Sequence, residues 1–197
     1  GPALLARMRD QAGRYGVEIR PGRVKHAARL DGGFELTLED GERIAARKLL
    51  LATGVVDNEP NLPAFFQSVR KGLIRICPIC DGYEVIGQAV GVIGDSDKGA
   101  REALFLRTYS DRLTLVHVGE AGALSAEARR DLAEAGIGVI ETPIEGVLVE
   151  QDRIVALGFS AEGLRRFDTV YCALGMTPQW LLAEQLGAEV DPAGCLQ

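Results

Sequence analysis

Two cysteines separated by two residues give the strongest chemical signal in the sequence. Cys77 and Cys80 lie in the run Cys-Pro-Ile-Cys-Asp-Gly at residues 77–82. At this spacing both sulfurs lie within reach of a small, reducible disulfide. A helix beginning just after Cys77 would also favour the nucleophilic thiolate. Pro78 suits the first turn of such a helix, because its missing N–H would be unpaired there anyway. The pair therefore favours dithiol redox chemistry.

Two other interpretations of the pair remain open. The first is half of a zinc site. Zinc usually needs four ligands, and the remaining cysteines and histidines form no second close pair: Cys172, Cys195, His26 and His117. The second is a pair of unconnected structural cysteines that serve only to pack the interior.

Asp81 directly follows the second cysteine. A carboxylate at this position could exchange protons with the dithiol and with its substrate, so Asp81 is a candidate acid–base group. Asp-Gly is also a common turn dipeptide, and a purely conformational role for Asp81 is the competing interpretation.

A glycine-containing turn follows about a dozen residues later. Residues 89–93 predict a buried strand and residues 100–107 a helix. Backbone N–H groups and the helix dipole at such a turn can hold a diphosphate. The candidate nucleotide contacts are Gly94, Ser96, Asp97 and Gly99.

Three features bear on whether this turn still binds a nucleotide. Ser96 stands where the usual fingerprint has the glycine that lets the backbone approach the phosphates. Asp95 and Asp97 add negative charge, so a turn that keeps the shape without the ligand is the alternative. His117 ends the next strand, where a nucleotide ribose would lie; a structural role is its alternative.

The elements that position these residues predict an α/β fold. From residue 72 onward, strands alternate with helices, which is typical of a parallel sheet, and a β-rich return follows. Strands are predicted at 73–77, 89–93, 113–118, 138–140, 144–149, 154–159 and 166–172, and helices at 100–107 and 126–135. Before that, a helix ends near 13–16, short strands occupy 17–19, 24–30, 34–38, 43–45 and 48–51, and residues 58–63 form a connector.

Composition narrows the class of protein. The chain has 197 residues, 47% of them hydrophobic, and a formal net charge of -6, which argues against a nucleic-acid partner. No apolar run approaches the roughly 20 residues that cross a bilayer, so no membrane span is expected. Four cysteines are too sparse for a disulfide scaffold and favour a reducing, cytoplasmic compartment. The chain starts with Gly and stops abruptly, so we expect a fragment of a longer protein.

The order of these features resembles the low-molecular-weight thioredoxin reductase family over essentially the whole chain. The matching segments are Leu-Ala-Thr-Gly at 51–54, Cys-Pro-Ile-Cys-Asp-Gly-Tyr-Glu at 77–84, Val-Ile-Gly at 92–94, Glu-Ala-Leu-Phe-Leu at 102–106 and Ala-Leu-Gly-Met-Thr-Pro at 173–178. The resemblance implies a Rossmann-like NAD(P)-binding domain, a parallel sheet plus a β-meander, inserted in an incomplete FAD-binding domain. Residues 1–71 would be the partial FAD domain, 72–180 the inserted domain and 181–197 the start of the return. Both FAD glycine motifs of the family would lie outside these residues, so the fragment is expected to bind FAD poorly and to be inactive alone.

The resemblance also implies residue roles at the dithiol. Cys80 would face the flavin, Cys77 would attack the substrate disulfide, and Asp81 would be the acid–base group.

Cofactor contacts follow from the same resemblance. Thr53 and Gly54 would lie beside FAD. The NADPH diphosphate would lie along the glycine-containing turn, and His117 near the ribose. Val118-Gly119 stand where the family usually has arginines for the 2′-phosphate, which leaves NADPH and NADH both open.

The implied activity is a flavin-dependent disulfide reductase. Electrons would pass from NAD(P)H through FAD to Cys77–Cys80, and then to a thioredoxin-like protein or a small disulfide, in a homodimer. The alternative is an FAD-dependent dithiol oxidase that uses oxygen without NADPH. A non-enzymatic sensor or docking module would not need the dithiol.

Overall fold

A computed structural model describes residues 2–60, 69, 71–120, 122–150, 153–161, 163–191 and 195–196, without the side chains of 153–155. The chain divides into two compact units. The first comprises Gly1–Val55 and Pro178–Gln197, and the second Val56–Thr177. The last part of the predicted connector, residues 61–63, lies outside the described residues. Which unit binds which cofactor stays a prediction.

The strands and helices have the following bounds. The strands are β1 (Val24–Leu30), β2 (Gly33–Leu38), β3 (Arg43–Ala46), β4 (Val55–Asp57), β5 (Ile74–Arg75), β6 (Ala89–Gly94), β7 (Arg112–His117), β8 (Gly138–Ile140), β9 (Ile144–Glu150), β10 (Arg153–Phe159), β11 (Gly163–Arg166), β12 (Thr169–Cys172) and β13 (Met176–Pro178). The helices are α1 (Pro2–Arg14), α2 (Pro78–Asp81), α3 (Asp97–Leu106), α4 (Ala126–Glu134) and α5 (Leu181–Gln185), with a 3₁₀ turn at Gly82–Val85.

The second unit is built on a five-stranded sheet of order β5-β12-β6-β7-β8. All four neighbouring pairs in this sheet are parallel. Helix α3 connects β6 to β7 and helix α4 connects β7 to β8, as expected for parallel strands joined by crossovers. The predicted α/β fold is therefore confirmed.

Both faces of this sheet are covered. On one face, Val92 and Leu115 pack with Leu106 of α3 and Leu132 of α4. On the other face, residues of β6, β7 and β12 pack with Leu157 and neighbouring side chains of the antiparallel meander β11-β10-β9. When a parallel sheet is covered on both faces, its strands are apolar along most of their length. This explains the apolar runs in the sequence.

The first unit contains an antiparallel sheet of order β1-β2-β3. Its β1–β2 hairpin turns at Gly32, whose φ of 83° lies in the left-handed region that glycine adopts without strain. Helix α5 packs on β1, where the backbone N–H of Ala27 donates to Oε1 of Gln185 over 2.8 Å. That side chain satisfies a buried backbone donor from 158 residues away in the sequence.

Two predicted strands are wrong, a third is shorter than predicted, and the strand predicted at 166–172 is interrupted at residues 167–168, between β11 and β12. Residues 17–19 and 48–51 are not in strands. Val17 and Leu50 are 53% and 89% exposed, so these apolar runs do not pack as sheet strands do. The strand next to the second run is instead β4, which pairs with β13. The strand predicted at 73–77 is reduced to Ile74–Arg75 because α2 begins at Pro78.

No helix in the described part of the chain is long and apolar enough to span a bilayer.

Candidate functional site

The two cysteines form a disulfide at the start of a short helix. Cys77 and Cys80 are bonded through their sulfurs, and their Cα atoms are 5.3 Å apart. Cys77 is the N-cap of α2, with Pro78 at its first position, and the backbone N–H of Cys80 donates to the carbonyl of Cys77 over 2.9 Å. Cys80 is exposed, whereas Cys77 is half-buried. The pair can therefore be approached from outside the unit on the side of Cys80.

Two side chains hold the carboxylate of Asp81. Tyr171 donates its hydroxyl to Oδ1 of Asp81 over 2.5 Å, and Nη1 of Arg75 lies 3.2 Å from Oδ2. The same Arg75 nitrogen is 2.9 Å from Oε2 of Glu84 and donates to the backbone carbonyl of Asp81. Both carboxylate oxygens of Asp81 thus have a charged or polar partner at fixed positions.

The sheet positions these two partners. Tyr171 lies on β12 and Arg75 on β5, and they are register partners in this parallel pair. Burial raises the pKa of the Tyr171 phenol above its ordinary value, and the hydrogen bond to Asp81 raises it further. The phenol therefore remains a donor over the whole neutral range.

Arg75 and Tyr171 were not identified from the sequence. They are 96 positions apart, and no spacing rule links a residue before the cysteine pair with one on a later strand. Only the pairing of β5 with β12 brings them together.

Three exposed apolar side chains lie close to Cys80 in the sequence. Ile79 and Tyr83 are 82% and 77% exposed, and Ile86 is also exposed. We call these three residues the apolar rim. Scattered exposed apolar residues are normal, but three beside a reactive pair offer a surface for an apolar substrate or protein.

The turn between β6 and α3 keeps the close approach expected of a nucleotide-binding turn. A Cβ at Gly94 would lie 2.7 Å from Cα of Gly99, so both glycines are needed to let helix and strand touch. Ser96 is the N-cap of α3, but its hydroxyl donates to Oδ1 of Asp95 over 2.9 Å instead of capping the helix.

The side chain of Asp97 forms a hydrogen bond within the second unit. Its carboxylate accepts the backbone N–H of Ser125 over 2.8 Å, and this hydrogen bond lowers the pKa of Asp97. The ionised carboxylate ties the start of α3 to the segment before α4.

A cavity of about 460 Å³ opens beside this turn, at the carboxyl ends of β6 and β7. It is lined by Glu59, Pro60, Asp95, His117, Val118, Gly119, Glu141, Pro143, Ile144 and Leu174. His117 is 3% exposed, and neither of its ring nitrogens has a hydrogen-bond partner within the part of the chain that the structure describes. Buried polar atoms are rarely left unpaired, so this imidazole is suited to a ligand.

Thr53 and Gly54 lie in the first unit. The Thr53 hydroxyl donates to the carbonyl of Gln179 over 2.5 Å, and the backbone N–H of Gln179 donates to the carbonyl of Gly54 over 3.0 Å. Gly54 has a φ of 66°, and a Cβ there would meet open space. Thr53 also lines a cavity of about 640 Å³ within this unit, together with Lys25 and Gln185.

The predicted site residues thus fall into three groups. Cys77, Cys80 and Asp81 lie together at α2. The candidate nucleotide residues gather at the carboxyl edge of the parallel sheet: Gly94, Ser96, Asp97, Gly99 and His117. Thr53 and Gly54 form the third group, in the other unit. Among the described residues, no cluster of three or more His, Cys, Asp or Glu side chains is arranged to hold a metal ion.

Several known proteins are similar to this chain. The family model described as "Pyridine nucleotide-disulphide oxidoreductase" matches residues 5–197. The "Bifunctional thioredoxin reductase/thioredoxin" of Mycobacterium leprae is 33% identical over 59% of this chain and 25% of its own length. The "Thioredoxin reductase" of Coxiella burnetii is 26% identical over the whole chain and 64% of its own length.

A solved structure is similar to the chain along its full length. The crystal structure of HlmI superposes with a TM-score of 0.84 and is 30% identical, covering 100% of this chain and 62% of HlmI. The chain thus spans less than two thirds of each of these proteins.

Proposed function

This chain belongs to the pyridine nucleotide-disulphide oxidoreductase family, and we propose that Cys77–Cys80 is the redox disulfide of a thioredoxin reductase-like enzyme. The observation that carries the proposal is the exposed disulfide at the start of α2, followed directly by a carboxylate that Tyr171 and Arg75 hold in place. A structural disulfide needs neither an exposed sulfur-bearing residue nor a positioned acid–base group.

The dithiol step is a pair of thiol–disulfide exchanges. The Cys77 thiolate attacks one sulfur of the substrate disulfide, which forms a mixed disulfide and releases one substrate thiolate. The Cys80 thiolate then attacks the Cys77 sulfur, closes the Cys77–Cys80 bond and releases the second substrate sulfur. Asp81 carries protons between the enzyme thiols and the leaving substrate thiolates. Two electrons and two protons pass from the enzyme to the substrate.

We infer the source of the electrons from the family to which the chain belongs. Bound FAD would supply the transfer of two electrons from a nicotinamide to the Cys77–Cys80 disulfide. We propose that Cys80 faces the flavin, since it is the exposed residue of the pair. Thr53 and Gly54 would lie beside FAD, and the open space at Gly54 permits a close approach of the backbone to a ligand.

The substrate we propose is a protein disulfide of the thioredoxin type, with a small disulfide as the second possibility. A relative's name joins thioredoxin reductase and thioredoxin in one protein. The exposed side chains of the apolar rim offer a protein partner an apolar contact close to the dithiol in the sequence. The homodimer and the cytoplasmic location stay predictions.

Anaerobic reduction of the full-length protein tests this function. NADH and NADPH are added separately, flavin absorbance is followed, and a thioredoxin-type disulfide is then supplied. We expect bleaching with at least one nucleotide and turnover of the disulfide. Cys77→Ser and Cys80→Ser should each abolish turnover, and the matched control Cys195→Ser, a second exposed cysteine, should retain it.

The same experiment distinguishes the proposed reductase from the alternative dithiol oxidase. Failure of both nucleotides to bleach the flavin, together with oxygen uptake when a dithiol is added, would replace the reductase with the dithiol oxidase. Full turnover by both cysteine variants would remove the dithiol from the mechanism altogether.

A further inference from the structure

We propose that the cavity lined by His117 binds an adenosine ribose with a free 2′-hydroxyl and rejects a 2′-phosphate. The pyridine nucleotide of this protein would then be NADH rather than NADPH. The inference rests on the proposed function, in which a nicotinamide is the electron source. It goes further by selecting between the two nucleotides that the sequence leaves open.

The position of the cavity suits a nucleotide. It lies where β6 and β7 end, with Gly94 and His117 as register partners, and ligands of open α/β sheets bind outside the carboxyl ends of the strands. The turn that leads into α3 lies beside it and presents a helix N-terminus to a diphosphate. The cavity volume of about 460 Å³ is within the range of small-ligand sites.

The charge around the cavity opposes a phosphate. Glu59, Asp95 and Glu141 all line it, and no lysine or arginine is among the described residues that do so. The nearby Arg129 is committed to Glu141, with its two terminal nitrogens 2.9 Å and 2.7 Å from the two carboxylate oxygens. A 2′-phosphate dianion would enter a site of net negative charge, whereas a neutral hydroxyl would not be repelled.

The backbone also prevents a basic side chain at the usual place. A Cβ at Gly119 would overlap the backbone carbonyl of Asp95, so no side chain fits there unless the backbone moves. The side chain of Val118 packs against the apolar cluster on the meander face of the sheet. Neither residue after His117 can therefore present a guanidinium to the cavity without repacking the unit.

His117 supplies a partner suited to a hydroxyl. A neutral imidazole has one donor and one acceptor nitrogen, and both are unpaired within the described residues. A ribose hydroxyl can accept from the N–H nitrogen of this ring or donate to the other nitrogen, so it gives one of the two ring nitrogens a partner. Carboxylates commonly accept from ribose hydroxyls in dinucleotide sites, and Asp95 and Glu141, which line the cavity, are the candidates here.

Calorimetry with two matched probes tests the inference on the full-length protein. The probes are 5′-AMP and 2′,5′-ADP, which differ only in the 2′-phosphate. We expect 5′-AMP to bind at least ten-fold more tightly. Equal or tighter binding of 2′,5′-ADP would overturn the inference, and so would a lack of binding by both probes.

Charge variants test which side chain causes the preference for 5′-AMP over 2′,5′-ADP. Asp95→Asn should narrow the difference between the two probes several-fold, because one repelling charge is removed. Asp111→Asn makes the same charge change at the opposite end of β7 and should leave the difference unchanged. His117→Asn should weaken the binding of 5′-AMP, and a melting curve of this variant shows whether it folds. An unchanged difference in Asp95→Asn would contradict the electrostatic account.

These binding measurements do not depend on the dithiol. If disulfide turnover fails while 5′-AMP still binds preferentially, the proposed function fails and the nucleotide inference stands. If turnover succeeds but 2′,5′-ADP binds more tightly, only the nucleotide inference fails.

Discussion

Asp81 is held by two residues that belong to different strands of the parallel sheet. Tyr171 and Arg75 fix both carboxylate oxygens, so that Asp81 has one orientation next to Cys80. Proton transfer depends on such fixed geometry, and a carboxylate that rotates freely spends less time in reach of a thiol. Arg75 and Tyr171 are therefore positioning residues for Asp81, the proposed acid–base group.

Tyr171→Phe tests this role. The variant keeps the ring but loses the hydroxyl donor, so we expect disulfide turnover to fall about ten-fold, which corresponds to about 1.4 kcal/mol in the activation barrier. The pH profile of turnover should also change shape, which a purely structural loss would not cause. Tyr15→Phe, at an exposed tyrosine outside the proposed site, is the control. An unchanged rate and profile in Tyr171→Phe would remove Tyr171 from the mechanism.

Cys172 gives a prediction about stability and pH. Burial raises the pKa of this thiol from 9.0 to about 11, with smaller contributions from nearby carboxylates. The folded state therefore keeps the proton longer than the unfolded state does. The stabilising contribution is complete below pH 9 and is lost as the pH rises towards 11.

Denaturant unfolding at pH 8 and pH 11 measures the effect. Each pKa unit corresponds to about 1.4 kcal/mol. Between pH 8 and pH 11, the unfolding free energy of the wild type should therefore fall by up to about 3 kcal/mol more than that of Cys172→Ala. Cys195→Ala, at an exposed cysteine, should lose as much as the wild type. Identical losses in the wild type and Cys172→Ala would show that the thiol does not titrate as expected.

The residue-scale site could be predicted only where its members are close in sequence. Cys77, Cys80 and Asp81 are predictable because five consecutive residues carry their chemistry. Arg75 and Tyr171 needed knowledge of which strands pair, and the unpaired imidazole of His117 needed a view of the cavity.

At the scale of elements, the packing of α3 against β6 is the feature on which the nucleotide turn depends. Gly94→Ala would place a methyl group 2.7 Å from Cα of Gly99, and backbone atoms at both sites leave little room to adjust. We expect a loss of about 1–3 kcal/mol in unfolding free energy, measured by denaturant titration. Gly146→Ala is the control, because a Cβ there meets open space. A loss no larger than that of Gly146→Ala would contradict the close packing.

The start of α4 depends on a cap. Ser125 accepts the backbone N–H of Ala128 through its hydroxyl over 3.1 Å. Ser125→Ala should cost about 1 kcal/mol of unfolding free energy, and Ser125→Asp should recover most of it because Asp also caps helices well. If Ser125→Asp is as unstable as Ser125→Ala, the cap is not the source of the loss.

Strands could be predicted from the sequence where their apolar residues are buried against neighbouring elements. The strands of the parallel sheet are buried on both faces and gave clear apolar runs. The runs at 17–19 and 48–51 also contain apolar residues, but Val17 and Leu50 are exposed in the structure and neither run is a strand. Hydrophobicity alone does not show whether a segment has a neighbour to pair with.

At the scale of the whole molecule, the proposed electron transfer links three groups of residues. The dithiol and the proposed nucleotide cavity lie in one unit, and Thr53 and Gly54 in the other. The chain spans 62% of HlmI and 64% of the Coxiella burnetii relative, so its redox cycle must be measured on the full-length protein. The central claim is that Cys77 and Cys80 change oxidation state in every turnover.

Alkylation during a single cycle tests that claim most directly. The full-length protein is reduced anaerobically with NADH, quenched in acid and alkylated, and the peptide that contains both cysteines is weighed. The account predicts that this peptide gains two alkyl groups on reduction and loses both when a stoichiometric amount of substrate disulfide is added. Turnover of the substrate while the peptide stays in the disulfide form throughout would contradict the account.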